Sequence, residues 1–575
     1  MNYPLIEVKK EIISLIKKSL TQLKYDCEIK IEIPPQEKGD FAFPCYQLAK
    51  ILKKSPNEIS KEVSRSIKSS KWVEKVYVNG AYVNFFINKE RFKKLTIKSV
   101  LDKQKTYGFL QKKNKQVIVE HTSANPNGPL HVGRARNPII GDTIVRIFKA
   151  AGYKVQSQFY LDDMGKQVAI LVWGIKNLNS KDIPKTKYNK SDHKTVGFYQ
   201  IASKLMEKDD KVSKQIGEIV KKSEEGNKKT IDLIHKAYKP VLSGINESLK
   251  KINITIDKYI PESNFVKDKS VDNVVEKLKK LKYCQNEQGA FYLDMKTFGI
   301  KGRNTKFFFI RKDGTTLYAT RDIAYHLWKS KQADFLINIL GEDHKLESKQ
   351  VETALNLIGA KIVPKVIFYS FVSLPGGKMS TRRDRVVYLD DLINECIKRA
   401  YIEVKKRRGK ELSEKKMKEI AEIIGKGALR YNIIKVQPEK DISFKWEEAL
   451  NFEGNSSPFI QYSHARACSI LLKNNEDIKN IDTTLLKHDS EINLIKKIAN
   501  FPIIIDEACE GFKPHSITTY LFEIASYFNQ FYRDCPVLHE KNKKIRIGRL
   551  ALVEATKAVL RNGLDLLGIV APEEM

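Results

Sequence analysis

The 575-residue sequence has few cysteines, Cys27, Cys45, Cys284, Cys396, Cys468, Cys509 and Cys535, and no two of them form a CxxC pair. That spacing argues against a disulfide framework and against structural zinc, and no histidine cluster stands at metal-ligand spacing, so no protein-bound metal is expected. Long apolar runs are missing too: none approaches the ~18 residues of a membrane-spanning helix. Met1-Asn2-Tyr3-Pro4 leads into a Lys/Glu-punctuated helical pattern and not into a signal-peptide core. Together these absences point to a reducing, cytoplasmic location and no membrane partner. Acidic residues are also short, 69 against 103 Lys and Arg, for a net charge of +34. Such a surface attracts polyanions and makes nucleic acid the leading partner. Spread evenly, the same surplus is only a set of solvated helix faces, so charge alone sets no more than a direction.

With 42% hydrophobic and 30% charged residues, the chain has the apolar content for sizeable cores. Its length implies roughly three or four domains. Helical periodicity over 5–23 and a strand-like stretch over 77–86, separated by the loop Pro34-Pro35-Gln36-Glu37-Lys38-Gly39-Asp40, predict a small α/β module. A Lys-rich connector at 111–116 precedes Val117-Ile118-Val119-Glu120, a buried-strand pattern that opens a new domain.

That strand runs into His121-Thr122-Ser123-Ala124-Asn125-Pro126-Asn127-Gly128-Pro129-Leu130-His131-Val132-Gly133, followed by a helical pattern over 134–150. A strand, loop and helix in a parallel sheet bring backbone N–H groups and the positive helix end to one point, which suits phosphate. Gly133 lets the chain approach an adenine ring, and His131 can donate a ring N–H to a phosphate oxygen. Much later, after the strand-like 366–372, comes Leu374-Pro375-Gly376-Gly377-Lys378-Met379-Ser380-Thr381-Arg382-Arg383, a glycine-loosened basic loop suited to a triphosphate.

The two motifs, in this order and across an insertion, resemble the class I aminoacyl-tRNA synthetases. That resemblance implies that an amino acid carboxylate attacks the α-phosphate of ATP, that magnesium accompanies ATP, and that a terminal ribose hydroxyl of tRNA then takes the acyl group. Such chemistry rests on positioning and charge stabilisation, which is consistent with the lack of a Ser/His/Asp or Cys/His arrangement. Further segments resemble the arginyl-tRNA synthetases in particular: Glu120-His121-Thr122-Ser123-Ala124-Asn125-Pro126, Asp162-Asp163-Met164-Gly165, Pro261-Glu262-Ser263, Arg311-Lys312-Asp313-Gly314, the stretch from Tyr318 through Asp322 to Tyr325, Gly341-Glu342-Asp343-His344, and Asp441-Ile442-Ser443-Phe444-Lys445-Trp446.

The resemblance implies an α/β Rossmann catalytic core with an inserted domain, an N-terminal α/β module and a C-terminal all-α helical bundle. The expected divisions are a tRNA-elbow module at 1–110, catalytic halves at 113–170 and 306–390, and an acceptor-end insertion at 171–305. A stem-contact helical linker at 391–450 and an anticodon-binding bundle at 451–575 follow. ATP is expected at Pro129, His131, Gly133, Arg134, Lys378, Met379 and Ser380, with His131, Gly133, Arg134, Lys378, Ser380 and Arg382 as the catalytic set. A guanidinium needs carboxylate and hydroxyl partners. For the arginine substrate the resemblance supplies Ser123 and Asn125 at the α-amino end, Glu262, Tyr318 and Asp322 at the side chain, and Asp343 or His344 at the far wall. Tyr318 and Asp322, four apart, share a helix face. Contacts to tRNA(Arg) fall to Phe41, Asn84 and Phe85 in the N-terminal module and to Gln461, Tyr462, Arg466 and Tyr532 in the bundle, where aromatic faces and donors suit unstacked bases. A monomer is expected.

The chain departs from the family pattern at 134, where arginine replaces a histidine, at Thr381, where a second loop lysine is usual, and at Asp384, where glycine is usual. The compensating lysine that some arginyl enzymes carry before the first motif is Gly128 here. Arg134, Arg382 or Arg383 is expected to supply the missing charge. Two other readings stay open, a class I synthetase for another amino acid and an inactive RNA-binding paralogue, and ATP consumption separates the latter.

Overall fold

The computed structural model describes residues 3–301, 305–373 and 387–575. Its central sheet has five strands: β1 (Gln116–Glu120), β2 (Lys154–Leu161), β3 (Lys258–Pro261), β4 (Phe335–Gly341) and β5 (Lys365–Tyr369), all parallel in the order β5-β4-β1-β2-β3. Val117, Ile118 and Val119 are all buried, as a central strand covered on both faces requires. The strand order reverses between β1 and β4, so a crevice opens outside their C-terminal ends, where the loops after both strands converge.

Helix α1 (Arg136–Ala150) follows the His131 loop, α2 (Tyr318–Lys329) precedes β4, and α3 (Leu389–Arg408) and α4 (Glu414–Ile434) lead out of the catalytic half. The expected helix from 134 begins instead with a 3-10 turn, Val132–Arg134, before α1. Gly141 on α1 is required by close approach, because a Cβ there would lie 2.3 Å from the His121 ring. Within 171–305, Lys258–Pro261 is the edge strand of the central sheet, while Cys284–Glu287 and Ala290–Asp294 form a separate antiparallel sheet with Lys306–Ile310, just beyond that range.

In the N-terminal module the single strand expected over 77–86 is two, Val73–Asn79 and Tyr82–Ile87, joined by a tight turn at Gly80 with φ of 56°. Asn-Gly favours such a turn because glycine reaches positive φ without steric cost. Four long helices, Ser457–Leu472, Asp489–Glu510, His515–Asp534 and Lys543–Leu566, form the C-terminal bundle. The N-terminal module is tied to it by Lys93 Nζ to the Leu486 carbonyl (2.9 Å) and the Tyr107 hydroxyl to the Ile498 carbonyl (3.1 Å). The bundle is tied to the catalytic half through buried Arg430, which donates to Asp142 Oδ2 on α1 and to the carbonyls of Ile252 and Leu567.

Candidate active site and tRNA-contact surfaces

The loop after β1 turns sharply, with Thr122 and Ser123 at positive φ (72° and 33°). It encloses a cavity lined by Ala124, Asn125, Asn127, Gly128, Pro129, Leu130, His131, Arg134 and Gln167, with a volume of about 240 Å³. His131 Nδ1 accepts from the Gly133 N–H at 3.1 Å. Burial, helped by Arg134, pulls its pKa below the usual histidine value. The neutral ring therefore carries its proton on Nε2, free to donate to an oxyanion. Arg134 is exposed, and its charge is felt at His131, His344 and Tyr369, so it faces the crevice. Gly128 cannot be replaced by a lysine without movement, because a Cβ there would lie 2.6 Å from Val196 Cγ2.

The backbone just after 374–386 lies on this loop. The Val132 N–H donates to the Val387 carbonyl (3.0 Å), the Leu389 N–H donates to the Leu130 carbonyl (2.8 Å), and His131 bridges Tyr388. Lys378, Met379, Ser380 and Arg382 themselves lie outside the described residues.

A second, larger cavity of about 700 Å³ adjoins the first through Gln167 and is lined by Asp162, Glu224, Arg311, Tyr318 and Arg321, among others. Gln167 Oε1 accepts from both Asn125 Nδ2 and Asn127 Nδ2 at 2.8 Å, fixing the loop between the two cavities. Ser123 Oγ accepts from the Tyr160 N–H (3.1 Å) and donates to Glu120 (3.2 Å). Glu262 is buried and accepts from Arg321 Nε; Arg321 also approaches Glu224 at 3.7 Å. Burial raises the Glu262 pKa to about 8, Arg321 opposing and Asp162 adding to the rise; the Asp162 pKa is raised as well, again mainly by burial. Tyr318 is 57% exposed, one turn of α2 from Asp322, as the spacing requires. Burial works against ionisation of Asp322, but His326, whose Nδ1 lies 3.2 Å from Oδ1, holds its pKa below the usual value. Asp162, Glu224 and Asp313 share this lining with Lys166, Lys221, Arg311 and Arg321, while Glu262 is held by Arg321 and Asp322 by His326 behind it. Asp343 and His344 sit exposed on the turn after β4, paired with each other at 3.8 Å, and His344 also meets Glu347 at 3.1 Å.

The tRNA set divides. Arg466 lies over the rings of Tyr462 (4.8 Å) and Tyr532 (5.3 Å), with both tyrosines exposed, and all three line a cavity of about 1120 Å³ with Lys473, Lys557 and Arg561. Gln461 is buried, its Nε2 donating to the Val570 carbonyl at 2.9 Å, so its amide is spent on holding the C-terminal segment. Phe41, Asn84 and Phe85 are core residues: Phe41 pairs with Phe85 across the sheet, Phe85 is fully buried, and Phe41 shows only its edge to a groove of about 310 Å³. None of the three offers a face on which a base can stack.

The family described as "tRNA synthetases class I (R), catalytic domain" matches residues 96–446, the DALR anticodon binding domain matches 460–575, and the arginyl tRNA synthetase N terminal domain matches 9–87. The chain belongs to the class I arginyl-tRNA synthetases. Arginine--tRNA ligase of Methanocella arvoryzae is 43% identical over 98% of both chains, and that of Methanosarcina barkeri is 40% identical over 99% of this chain and 100% of its own. The solved arginyl-tRNA synthetase of Thermus thermophilus superposes with a TM-score of 0.83 at 27% identity, covering 98% of this chain and 100% of that one. Within this family frame, sequence reasoning missed Asp162, Gln167, Arg321 and Tyr160. Asp162 and Arg321 stood inside quoted motifs, at a strand end and one turn from Tyr318. The buried Tyr160 hydroxyl, without a hydrogen-bond partner among the described residues, had no sequence signal.

Proposed function

We propose that the protein joins arginine to tRNA(Arg) in two steps on the crevice between β1 and β4. An oxygen of the arginine carboxylate attacks the α-phosphorus of ATP and pyrophosphate leaves. A terminal ribose hydroxyl of tRNA then attacks the acyl carbon of the adenylate and AMP leaves. The observation that carries this reading is the adjacency of two cavities sharing Gln167, one lined by His131 and Arg134, the other by Asp162, Glu224 and Tyr318, with Glu262 held by Arg321 beside it.

In this reading ATP, with its magnesium as part of the substrate, takes the first cavity. His131 and Arg134 stabilise charge on its phosphates, and Lys378, Met379, Ser380 and Arg382 act from the second motif. Arginine takes the second cavity. Ser123 and Asn125 hold its α-amino end, Tyr318 and Asp322 meet its guanidinium, and Glu262 acts through Arg321 and Asp162. Asp343 and His344 close the far wall. The insertion holds the acceptor end, α3 and α4 meet the stem, and Tyr462, Arg466 and Tyr532 receive the anticodon. No helix among the described residues is long and apolar enough to cross a membrane. The enzyme acts as a cytoplasmic monomer. Activation requires bound tRNA.

Charging of tRNA with labelled arginine and ATP, beside the other nineteen amino acids and a reaction without tRNA, tests this. Arginine-specific, tRNA-dependent label is expected. No charging by any amino acid, despite tRNA binding, overturns it in favour of an inactive RNA-binding protein.

A further inference from the structure

Behind the His131 loop, five polar side chains meet in a buried cluster. Lys190 Nζ donates to Asp390 Oδ2 (2.6 Å) and Asp192 Oδ2 (3.3 Å) and also bonds the Ser248 hydroxyl; His193 Nε2 lies 3.1 Å from Asp390 Oδ2. Ser248 Oγ contacts both Asp390 oxygens at 3.0 Å, and Lys251 stands 3.9 Å from Oδ1. Lys190, Asp192, His193, Ser248 and Asp390 are all at least nine-tenths buried. Ligand-type atoms of Asp192, His193 and Asp390 lie within 4.8 Å of one another, as in a cation site. The Lys190 ammonium already stands among them, so the charge is met without a metal.

The cluster joins two parts of the chain. Lys190, Asp192, His193 and Ser248 belong to the insertion, whereas Asp390 opens α3 and directly follows the 387–389 backbone bonded to Leu130 and Val132. A second set of contacts runs in parallel: the Tyr188 hydroxyl donates to Asp391 Oδ1 (2.7 Å), and the Tyr388 ring meets His193 edge-on at 5.0 Å. A Cβ at Gly244 would lie 2.2 Å from Asp192, so the helix Lys228–Lys251 is fitted around the same group. Buried, interlinked charges of this kind have one favourable arrangement, and such a clasp transmits position better than an apolar contact that can slide.

We propose that Asp390 is a positioning residue: through Lys190, His193 and Ser248 it fixes the insertion to the 387–389 backbone and thereby sets the 130–132 loop and the His131 ring for adenylate formation. Asp390 touches no substrate. The proposal rests on the reading of the His131 cavity as the nucleotide site.

The test is Asp390→Asn in the full chain, which keeps the size and the Ser248 bond but removes the charge that holds Lys190 and His193. With saturating tRNA, the rate of adenylate formation per titrated active site is expected to fall about 10-fold, the effect of one charge-assisted bond. The KM values for arginine and ATP and the Kd for tRNA are expected to stay within about 2-fold, because none of those contacts is touched. Ser248→Ala deletes the hydroxyl that accepts from the Lys190 ammonium and donates to the Asp390 carboxylate, leaves every charge and the direct Lys190–Asp390 pair in place, and is expected to lose about 2- to 5-fold in the same parameter alone. A per-site rate within 2-fold of wild type in both variants, or losses that appear as raised KM values or a lower active fraction, overturns the proposal. His131→Ala without effect on adenylate formation instead breaks the reading of the nucleotide site, so the two failures are distinguishable.

Discussion

Replacing Asp322 by asparagine removes the formal charge that the proposal sets against the arginine guanidinium while leaving the fold almost untouched. The α2 helix is held at this position by the main chain, since His326 Nδ1 lies 2.7 Å from the Asp322 carbonyl, and His326 Nε2 meets Asn338 Nδ2 at 2.8 Å. The change weakens the side-chain contact to His326, 3.2 Å, and the longer-range attraction of Lys329 and His344. The melting temperature is therefore expected to move by no more than about 2 °C. A hydrogen bond to a charged group contributes about 1.5–3 kcal/mol. The Asp322 side chain is 31% exposed, so water screens part of the interaction and the lower half of that range applies, about 1.5–2 kcal/mol, or roughly 10- to 30-fold. Pyrophosphate exchange in the presence of tRNA reads this as a rise in the arginine KM with the ATP KM unchanged. An arginine KM that rises less than 3-fold, or an ATP KM that rises with it, refutes the assignment of Asp322 to the arginine side chain.

With burial raising the Glu262 pKa to about 8, the proposal predicts pH-dependent arginine binding. Below it the Glu262–Asp162 pair keeps a proton that the cation must displace, so the arginine KM is expected to fall as pH rises from about 6.5 to 8.5, by at most about tenfold per unit; Glu262→Gln should flatten the profile, and a wild-type KM that is level across it refutes the idea. Arg134→His is expected to slow adenylate formation, measured by exchange at saturating arginine; unimpaired or faster formation excludes a required role for Arg134. Arg466→Ala removes the guanidinium between two exposed tyrosines and should raise the tRNA KM by about 10- to 100-fold, the range of one stacked base, with the arginine KM unchanged; equal effects on both would place Arg466 outside the tRNA surface.

The groups legible in the sequence were those set by local order. A buried-strand run followed by a glycine-bearing loop placed His131 at a strand end, and a four-residue spacing put Tyr318 and Asp322 on one face of α2. Partnerships between distant segments were not legible. Glu262 and Arg321 meet in the fold although their motifs are separated by a whole antiparallel sheet. The edge strand Lys258–Pro261 sits inside a segment whose periodicity says nothing about which sheet it joins. Aromatic identity also misled: Phe41 and Phe85 have the composition of a stacking surface, but pairing across a three-stranded sheet turns them inward, where burying each ring is more favourable than displaying it. Gln461 erred in the same way, since a polar side chain on a helix reads as exposed until a carbonyl such as that of Val570 arrives to satisfy it.

The placement of the two cavities explains why no side-chain nucleophile is required. A parallel sheet whose order reverses between β1 and β4 gives one crevice with two kinds of wall. The β1 loop supplies a neutral imidazole proton and the Arg134 guanidinium, which suit phosphate. The ends of β2 and β3, with α2 beside them, supply Asp162, Glu262 and Asp322, which suit a guanidinium. In the proposed arrangement an arginine held by its two ends across Gln167 would have its carboxylate at the boundary, beside the α-phosphate of ATP in the first cavity. The gain in rate then comes from holding two charged reactants in register, an effect that reaches about 7–11 kcal/mol for well-oriented partners. Orientation of that kind depends on how firmly the walls are fixed to each other, and both ends of the crevice are fixed by buried charge: Lys329 to Glu120 at the β1 side, and Asp390 to Lys190 where the insertion meets α3.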